Sequence, residues 1–231
     1  MKAKFYIMDI SRIGPRGLYC DGAETVCNGA LRYEDFVRSA AGRQLLKYAL
    51  WREFKMALNY ESLMQERRGK LILSDCPIVS FNISHSNQMV ACAVGKRPLG
   101  IDVEYKKQIE YRPLADHFFH KNELEYINKV DPGAGLDQFY KLWTLKESYI
   151  KCTGDGLSKE LDSFIMTADS AGRMKVYDKN NPERSGKYRF YHTRCNSQYH
   201  VSICSEQSDI CKEGKMLNYS EVAGFLNNRI G

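Results

Sequence analysis

The stretch Gly100-Ile101-Asp102-Val103-Glu104 decides how the centre of this chain is read. Apolar and acidic side chains alternate. A β-strand therefore puts Asp102 and Glu104 on one face and turns Ile101 and Val103 toward a core. Two neighbouring carboxylates repel unless a cation lies between them. Oxygen donors suit magnesium, which takes one or two carboxylates together with phosphate oxygens and water. Two solvated acids on an open sheet face would leave the same pattern.

About forty residues later stands Trp143-Thr144-Leu145-Lys146-Glu147-Ser148-Tyr149-Ile150-Lys151. On a helix, Glu147 and Lys151 share one face in the favourable order for an ion pair. As an exposed pair they would add little. Lys146 falls on the apolar stripe of Phe139, Leu142, Trp143 and Ile150. A charge there must snorkel, pair or face a ligand, and snorkelling is the default expectation. Together the two segments can hold a hard metal ion against a phosphate and move a proton beside it. That points to chemistry on a phosphate ester or anhydride.

Working outward, Phe5–Ile10 reads as an opening strand. A helix capped by Asp35 runs to about Asn59, with Phe36, Val37, Ala40, Ala41, Leu45, Leu46, Ala49 and Leu50 at helical spacing. Glu66–Lys70 is a charged turn. Val79–Ile83 and Met89–Val94 read as strands around a turn at Ser84-His85-Ser86-Asn87, where His85 could donate to a phosphate or a sugar hydroxyl. A helix is expected over Leu114–Val130, broken by Asp131-Pro132-Gly133. A second runs from a cap at Asp137 to Thr153, with Gly154 as its stop. Strands are expected at Phe164–Thr167, Lys187–Thr193 and His200–Cys204, and an amphipathic tail at Tyr219–Asn227. Each half is a helix with antiparallel strands, an α+β pattern.

The chain has 231 residues, 43% hydrophobic and 27% charged, which is ordinary globular composition. Its net charge of +6 favours anionic partners by steering. No Lys/Arg block, zinc-finger spacing or aromatic RNA-binding motif is present, so no nucleic-acid partner is expected. The eight cysteines, among them Cys20 and Cys27, form no C-x-x-C pair and read as free thiols. Neither a signal peptide nor a membrane-spanning run is visible, and a cytoplasmic location is expected.

The two segments, in this order and at this separation, resemble the paired signatures of the 4′-phosphopantetheinyl transferases: a Gly-x-Asp-x-Glu strand and a Trp-x-x-Lys-Glu-x-x-x-Lys helix. Phe81–Ser86, Phe118–Glu123 and Gly154–Phe164 also fit that family. The length is similar to its longer, Sfp type, and implies a monomer with two similar α+β lobes related by a pseudo-twofold. Each lobe would be a small antiparallel sheet packed with helices, 1–100 at the nucleotide end of coenzyme A and 101–231 with the metal and catalytic residues, and the site would lie between them.

The resemblance implies transfer of the phosphopantetheine arm of coenzyme A to a serine of an apo acyl or peptidyl carrier protein, releasing adenosine 3′,5′-bisphosphate. It implies Mg2+, or Mn2+, on Asp102, Glu104 and Glu147. Glu147, Lys151 and Asp102 would be catalytic, and Lys70, Ser84, His85, Lys151 and Arg43 would hold coenzyme A, with Arg38 as a further basic candidate. Carrier proteins present an acidic helix, which suits the positive chain. Leu71 stands where the family has proline. A degenerate member that binds coenzyme A or a carrier without catalysis, and a metal-dependent phosphoesterase, are the alternatives.

Overall fold

The computed structural model describes residues 1–13, 33–66, 68–128 and 132–229. Cys20, Cys27, Val130 and Asp131 lie outside the described residues.

Strand β1 (Lys4–Asp9) is buried on both faces: Phe5 and Ile7 enter one core, Tyr6 and Met8 another. That explains its nearly unbroken apolar run. Helix α1 (Tyr33–Phe54) lays Ala41, Leu45, Leu46, Ala49 and Leu50 on the second of these cores. Asp35 is not a cap but sits in the first turn, paired with Arg38 at 2.7 Å. The helix stops before Asn59, because Lys55 takes a left-handed backbone conformation at φ 56°.

Strands β2 (Leu63–Gln65) and β3 (Leu71–Leu73) form a small hairpin around the expected charged turn. Strands β4 (Ser80–Ser86) and β5 (Met89–Gly95) form the next. Here the expectation is corrected. Ser84, His85 and Ser86 are not in a turn; they pair with Ala91, Val90 and Met89. The chain reverses at Asn87-Gln88, with Asn87 at φ 51°. Strand β6 (Leu99–Tyr105) carries the Gly-x-Asp-x-Glu motif.

The single helix expected from Leu114 to Val130 is two, α2 (Tyr111–Phe118) and α3 (Lys121–Asn128). Phe119 is extended between them and places its ring against Phe139 and Trp143, at 5.4 and 6.4 Å. The His120 N–H then donates to the Glu123 carboxylate at 3.0 Å, which starts the new helix. Helix α4 (Gly135–Thr153) begins before Asp137, whose carboxylate instead accepts from Lys106 and bonds the His200 ring. Gly154 does end it, at φ 72°, donating its N–H to the Ile150 carbonyl.

Strands β7 (Phe164–Ala168) and β8 (Met174–Asp178) pair with each other. Strands β9 (Tyr188–Cys195), β10 (Tyr199–Glu206) and β11 (Lys215–Asn218) follow, and helix α5 (Tyr219–Arg229) ends the described chain. The elements absent from the sequence reading are β2, β3, β8 and β11. At three to five residues they are too short to show a period.

Two sheets lie face to face. The first has the order β11-β1-β5-β4, antiparallel except for the parallel β1–β11 pair. The second has the antiparallel order β6-β10-β9. Phe5, Ile7, Ala91, Ala93, Ile101, Val103, Val201 and Ile203 fill the space between them. α1 and α5 cover the outer face of the first sheet, and α4 covers that of the second. The fold is thus α+β, two helix-backed sheets stacked on one another. The end of the chain, β11 and α5, returns to the first sheet. The six described cysteines are free, and no helix among the described residues is long and apolar enough to cross a membrane.

Lys146 does not snorkel. Its ammonium is fully buried, 2.7 Å from Glu123 Oε1 and 2.7 Å from the Phe164 carbonyl, and it lies over the Phe164 ring. Glu123 also accepts the Met166 N–H. This pair joins α3, α4 and β7 at the level of Glu147. Removing one member leaves the other charge buried alone, so Lys146→Met is expected to cost ~3–5 kcal/mol in urea unfolding, with part of the loss recovered in Lys146→Met/Glu123→Gln, which removes the lone charge and keeps an amide oxygen for the Met166 N–H. A single variant as stable as the parent protein would contradict a structural role for the pair.

Candidate active site

β4 meets β6 side-on, through side chains. Asn82, Ser84 and Ser86 alternate along β4 and point to one side. Asn82 Oδ1 accepts the Ile101 N–H at 2.9 Å, Ser84 Oγ the Val103 N–H at 3.3 Å, and Ser86 Oγ the Tyr105 N–H at 3.0 Å. The free edge of β6 is satisfied without a neighbouring strand. The same hydroxyls aim the carboxylates. Ser84 donates to Asp102 Oδ1 at 3.0 Å and Ser86 to Glu104 Oε2 at 2.8 Å.

From the other side comes α4. Lys151 Nζ donates to Asp102 Oδ1 at 2.6 Å and to Ser84 Oγ at 2.9 Å. α4 can approach this closely because residue 100 is glycine. A Cβ there would stand 2.2 Å from the Ser148 carbonyl oxygen and 2.4 Å from the Cys152 nitrogen. The motif's glycine is therefore a packing requirement.

Burial and mutual repulsion shape the acids. Glu104 is pushed up to about 7 by burial and by the Asp102 charge, against the pull of the Ser86 hydroxyl and Lys151. Glu147 is raised by burial and by Asp102, with Lys151 opposing. Asp102 is 3% exposed, and its Oδ2 is buried without a hydrogen-bond partner. A cation would relieve all three conditions. Among the described residues, no three such side chains already stand gathered as a metal-binding group. The structure offers hard oxygen donors, one of them an orphaned atom, and these fit magnesium in kind.

Asp102, Lys151 and Ser84 thus meet, and Glu104 and Glu147 lie close enough for the Asp102 charge to act on both. Ser84 is buried and takes up its hydroxyl within the protein. His85 is exposed on the opposite side of β4; desolvation, then the charges of Arg38 and Lys151, hold it below the ordinary histidine range. Lys70 is placed at the last turn of α4 by bonds to the Lys151 and Cys152 carbonyls at 3.0 and 3.2 Å, and burial lowers its pKa. Arg38 donates to the Asn87 carbonyl. Arg43 is half-buried on α1, about 140° around that helix from Arg38. Beside Glu147 opens a cavity of about 500 Å³, walled by Phe118, Trp143, Ile150 and Leu161.

Sequence reasoning missed Asn82 and Ser86. Their signal was there, as three short polar side chains at a period of two in Asn82-Ile83-Ser84-His85-Ser86. It was hidden by assigning Ser84–Asn87 to a turn. The buried contact of Thr144 with Ser202, 2.8 Å, left no signal in either segment alone.

Residues 98–204 match the model of the 4′-phosphopantetheinyl transferase superfamily. The 4′-phosphopantetheinyl transferase Sfp of Bacillus subtilis is 31% identical over 198 residues, covering 85% of this chain and 86% of its own. The 4′-phosphopantetheinyl transferase HetI of a Nostoc species is 36% identical, over 53% of this chain and 54% of its own. Among solved structures, a holo-(acyl-carrier-protein) synthase of Bacillus anthracis, crystallised with CoA (3′,5′-ADP), aligns with 48% of this chain and 96% of its own, at 15% identity and a TM-score of 0.40.

The raised acids make stability depend on pH. Glu104 titrates at about 7 in the fold and near ~4.3 in the unfolded chain. The folded state holds the extra proton between these values, so the penalty is absent below the lower one and complete above the upper one. Stability in EDTA is expected to fall as pH rises through that window, with Glu147 adding to the same trend. Thermal unfolding followed by circular dichroism should show a shallower fall for Glu104→Gln. Identical slopes for parent and variant would contradict the assignment.

Proposed function

Since the chain belongs to the 4′-phosphopantetheinyl transferase superfamily and is a transferase of its Sfp type, we propose that it moves the phosphopantetheine arm of coenzyme A to a serine hydroxyl of an apo acyl or peptidyl carrier protein. Mg2+ is the proposed cofactor and adenosine 3′,5′-bisphosphate the second product. The observation that supports this most is the meeting of Asp102, Glu104, Glu147 and Lys151 at the seam between β4, β6 and α4.

Asp102, Glu104 and Glu147 are the proposed metal ligands, with the orphaned Asp102 Oδ2 as the best-placed donor atom. Bound there, the ion would neutralise pyrophosphate charge and align an in-line displacement. Glu147 takes the proton from the carrier serine. Before the ion binds, burial and the Asp102 charge hold its pKa above the ordinary carboxylate range. Lys151, once phosphate competes with Asp102 for its ammonium, stabilises charge on the phosphate and on the leaving group. The cavity beside Glu147 leaves room for the pantetheine arm. Lys70, Ser84, His85 and Arg43 form the nucleotide end, Lys70 by exchanging carbonyls of α4 for phosphate. The N-terminal part of the chain, 1–100, belongs to the nucleotide and 101–231 to the chemistry.

The carrier is met through its acidic helix, and the charge of +6 steers that encounter. The enzyme works as a cytoplasmic monomer in carrier activation, such as peptide or polyketide synthesis.

Intact-protein mass spectrometry of an apo carrier protein incubated with coenzyme A and magnesium tests this. The expected result is a gain of one phosphopantetheine, abolished by EDTA. Absence of the gain over several carriers, without coenzyme A binding, would refute the proposal. Asp102→Ala and Glu147→Ala are each expected to slow transfer by about 100-fold or more with an unchanged circular dichroism spectrum. Normal turnover in either variant would remove that residue from the mechanism.

A further inference from the structure

β9 is the outer strand of the second sheet and pairs with β10 alone among the described residues. Which of its backbone groups are free follows from the far side of the same sheet. The N–H groups of Ile101, Val103 and Tyr105 donate to β4 side chains, so these residues face away from β10. Gly100, Asp102 and Glu104 therefore face β10 and bond to their partners Cys204, Ser202 and His200. That leaves Tyr199, Val201, Ile203 and Ser205 to bond to β9, at Cys195, Thr193, Tyr191 and Arg189. By the same alternation, the N–H and C=O groups of Phe190, His192 and Arg194 point outward from the sheet.

An unpaired strand edge is a template for another chain. Among the described residues this edge opens onto a cavity of about 880 Å³ that runs along Arg189–His192. One lip is the start of the chain with the loop around Ile210, held together by the Cys211 N–H donating to the Ala3 carbonyl at 2.8 Å. The other lip is α4 at Lys141 and β8 at Met174. Six bases line the groove, Lys2, Lys141, Arg173, Lys175, Arg189 and Lys212, against the acids Asp209 and Glu213. Asp169 pairs with Arg173 at 2.9 Å and lies 3.9 Å from Lys175. Lys2, Lys141 and Lys212 have no ion pair among the described residues. None of Asp102, Glu104, Glu147 and Lys151 lines this groove.

We propose that the groove is a docking site for an extended acidic polypeptide segment, which adds to β9 as a further strand while its carboxylates meet lysines on both lips. The free edge alternates donors and acceptors, which only another peptide backbone can complement. A DNA backbone offers acceptors alone. The phenyl ring of Phe190 and the side chain of Met174 give the segment's alternate residues an apolar floor.

The test is fluorescence anisotropy with a labelled peptide of alternating Glu and Thr. Two controls are the same peptide with every second amide N-methylated, and oligothymidylate of equal charge. The peptide is expected to bind and to weaken with salt. Lys141→Gln/Lys212→Glu should raise its Kd by about tenfold, equivalent to about 1.4 kcal/mol. N-methylation should abolish binding, and bound peptide should slow amide exchange at Phe190, His192 and Arg194. Absence of binding, an unchanged Kd in the variant, equal binding of the N-methylated peptide, or oligothymidylate binding as tightly would each overturn the proposal. No readout depends on phosphopantetheine transfer, so failure here leaves the proposed reaction standing.

Discussion

The contact on which the rest of this molecule depends is made by three short side chains in place of a strand. Asn82, Ser84 and Ser86 accept successive N–H groups of β6. A backbone edge buried without partners would cost about 1–3 kcal/mol per group. The side chains satisfy it and leave the two sheets free to stack face to face. The serine hydroxyls accept from the backbone and donate to carboxylates at once. The hydroxyls that join the two sheets thus also orient Asp102 and Glu104. A change to the seam moves the site, and a charge placed in the site loads the seam.

The acids are held in an unfavourable state. Glu104 and Glu147 are partly buried near Asp102, and each has a raised pKa. Lys151 compensates one of the three charges. Close approach of α4, allowed by Gly100, brings the others near enough to repel. The Lys146–Glu123 pair and the aromatic packing of Phe119, Phe139 and Trp143 hold α4 from behind. Perturbed acids of this kind are common at sites that bind a cation or move a proton, and are found in structural ion-pair networks as well.

Much of this was legible in the sequence, for identifiable reasons. The alternation at Gly100–Glu104 placed Ile101 and Val103 in a core, where both are fully buried. Gly154 ended α4 because the left-handed cap has a residue-specific signal. The failures were also physical. Phe119 breaks a helical pattern to fill an aromatic cluster that only the fold assembles. Asp137 looks like a cap but is drawn to Lys106 and His200, residues distant in sequence. Ser84 and His85 resemble turn residues until the strand pairing with β5 is known. Lys146 could not be assigned a partner because Glu123 lies in another helix. Local chemistry was readable; long-range partners were not.

The central claim is that three carboxylates, aimed by the β4–β6 seam and by α4, form one cation site. The most direct test is a crystal structure with coenzyme A and Mn2+, phased for anomalous scattering. The account predicts a single strong peak bounded by Asp102, Glu104 and Glu147, with Asp102 Oδ2 among its ligands. A peak elsewhere, or coenzyme A bound with no ion between these acids, would contradict it.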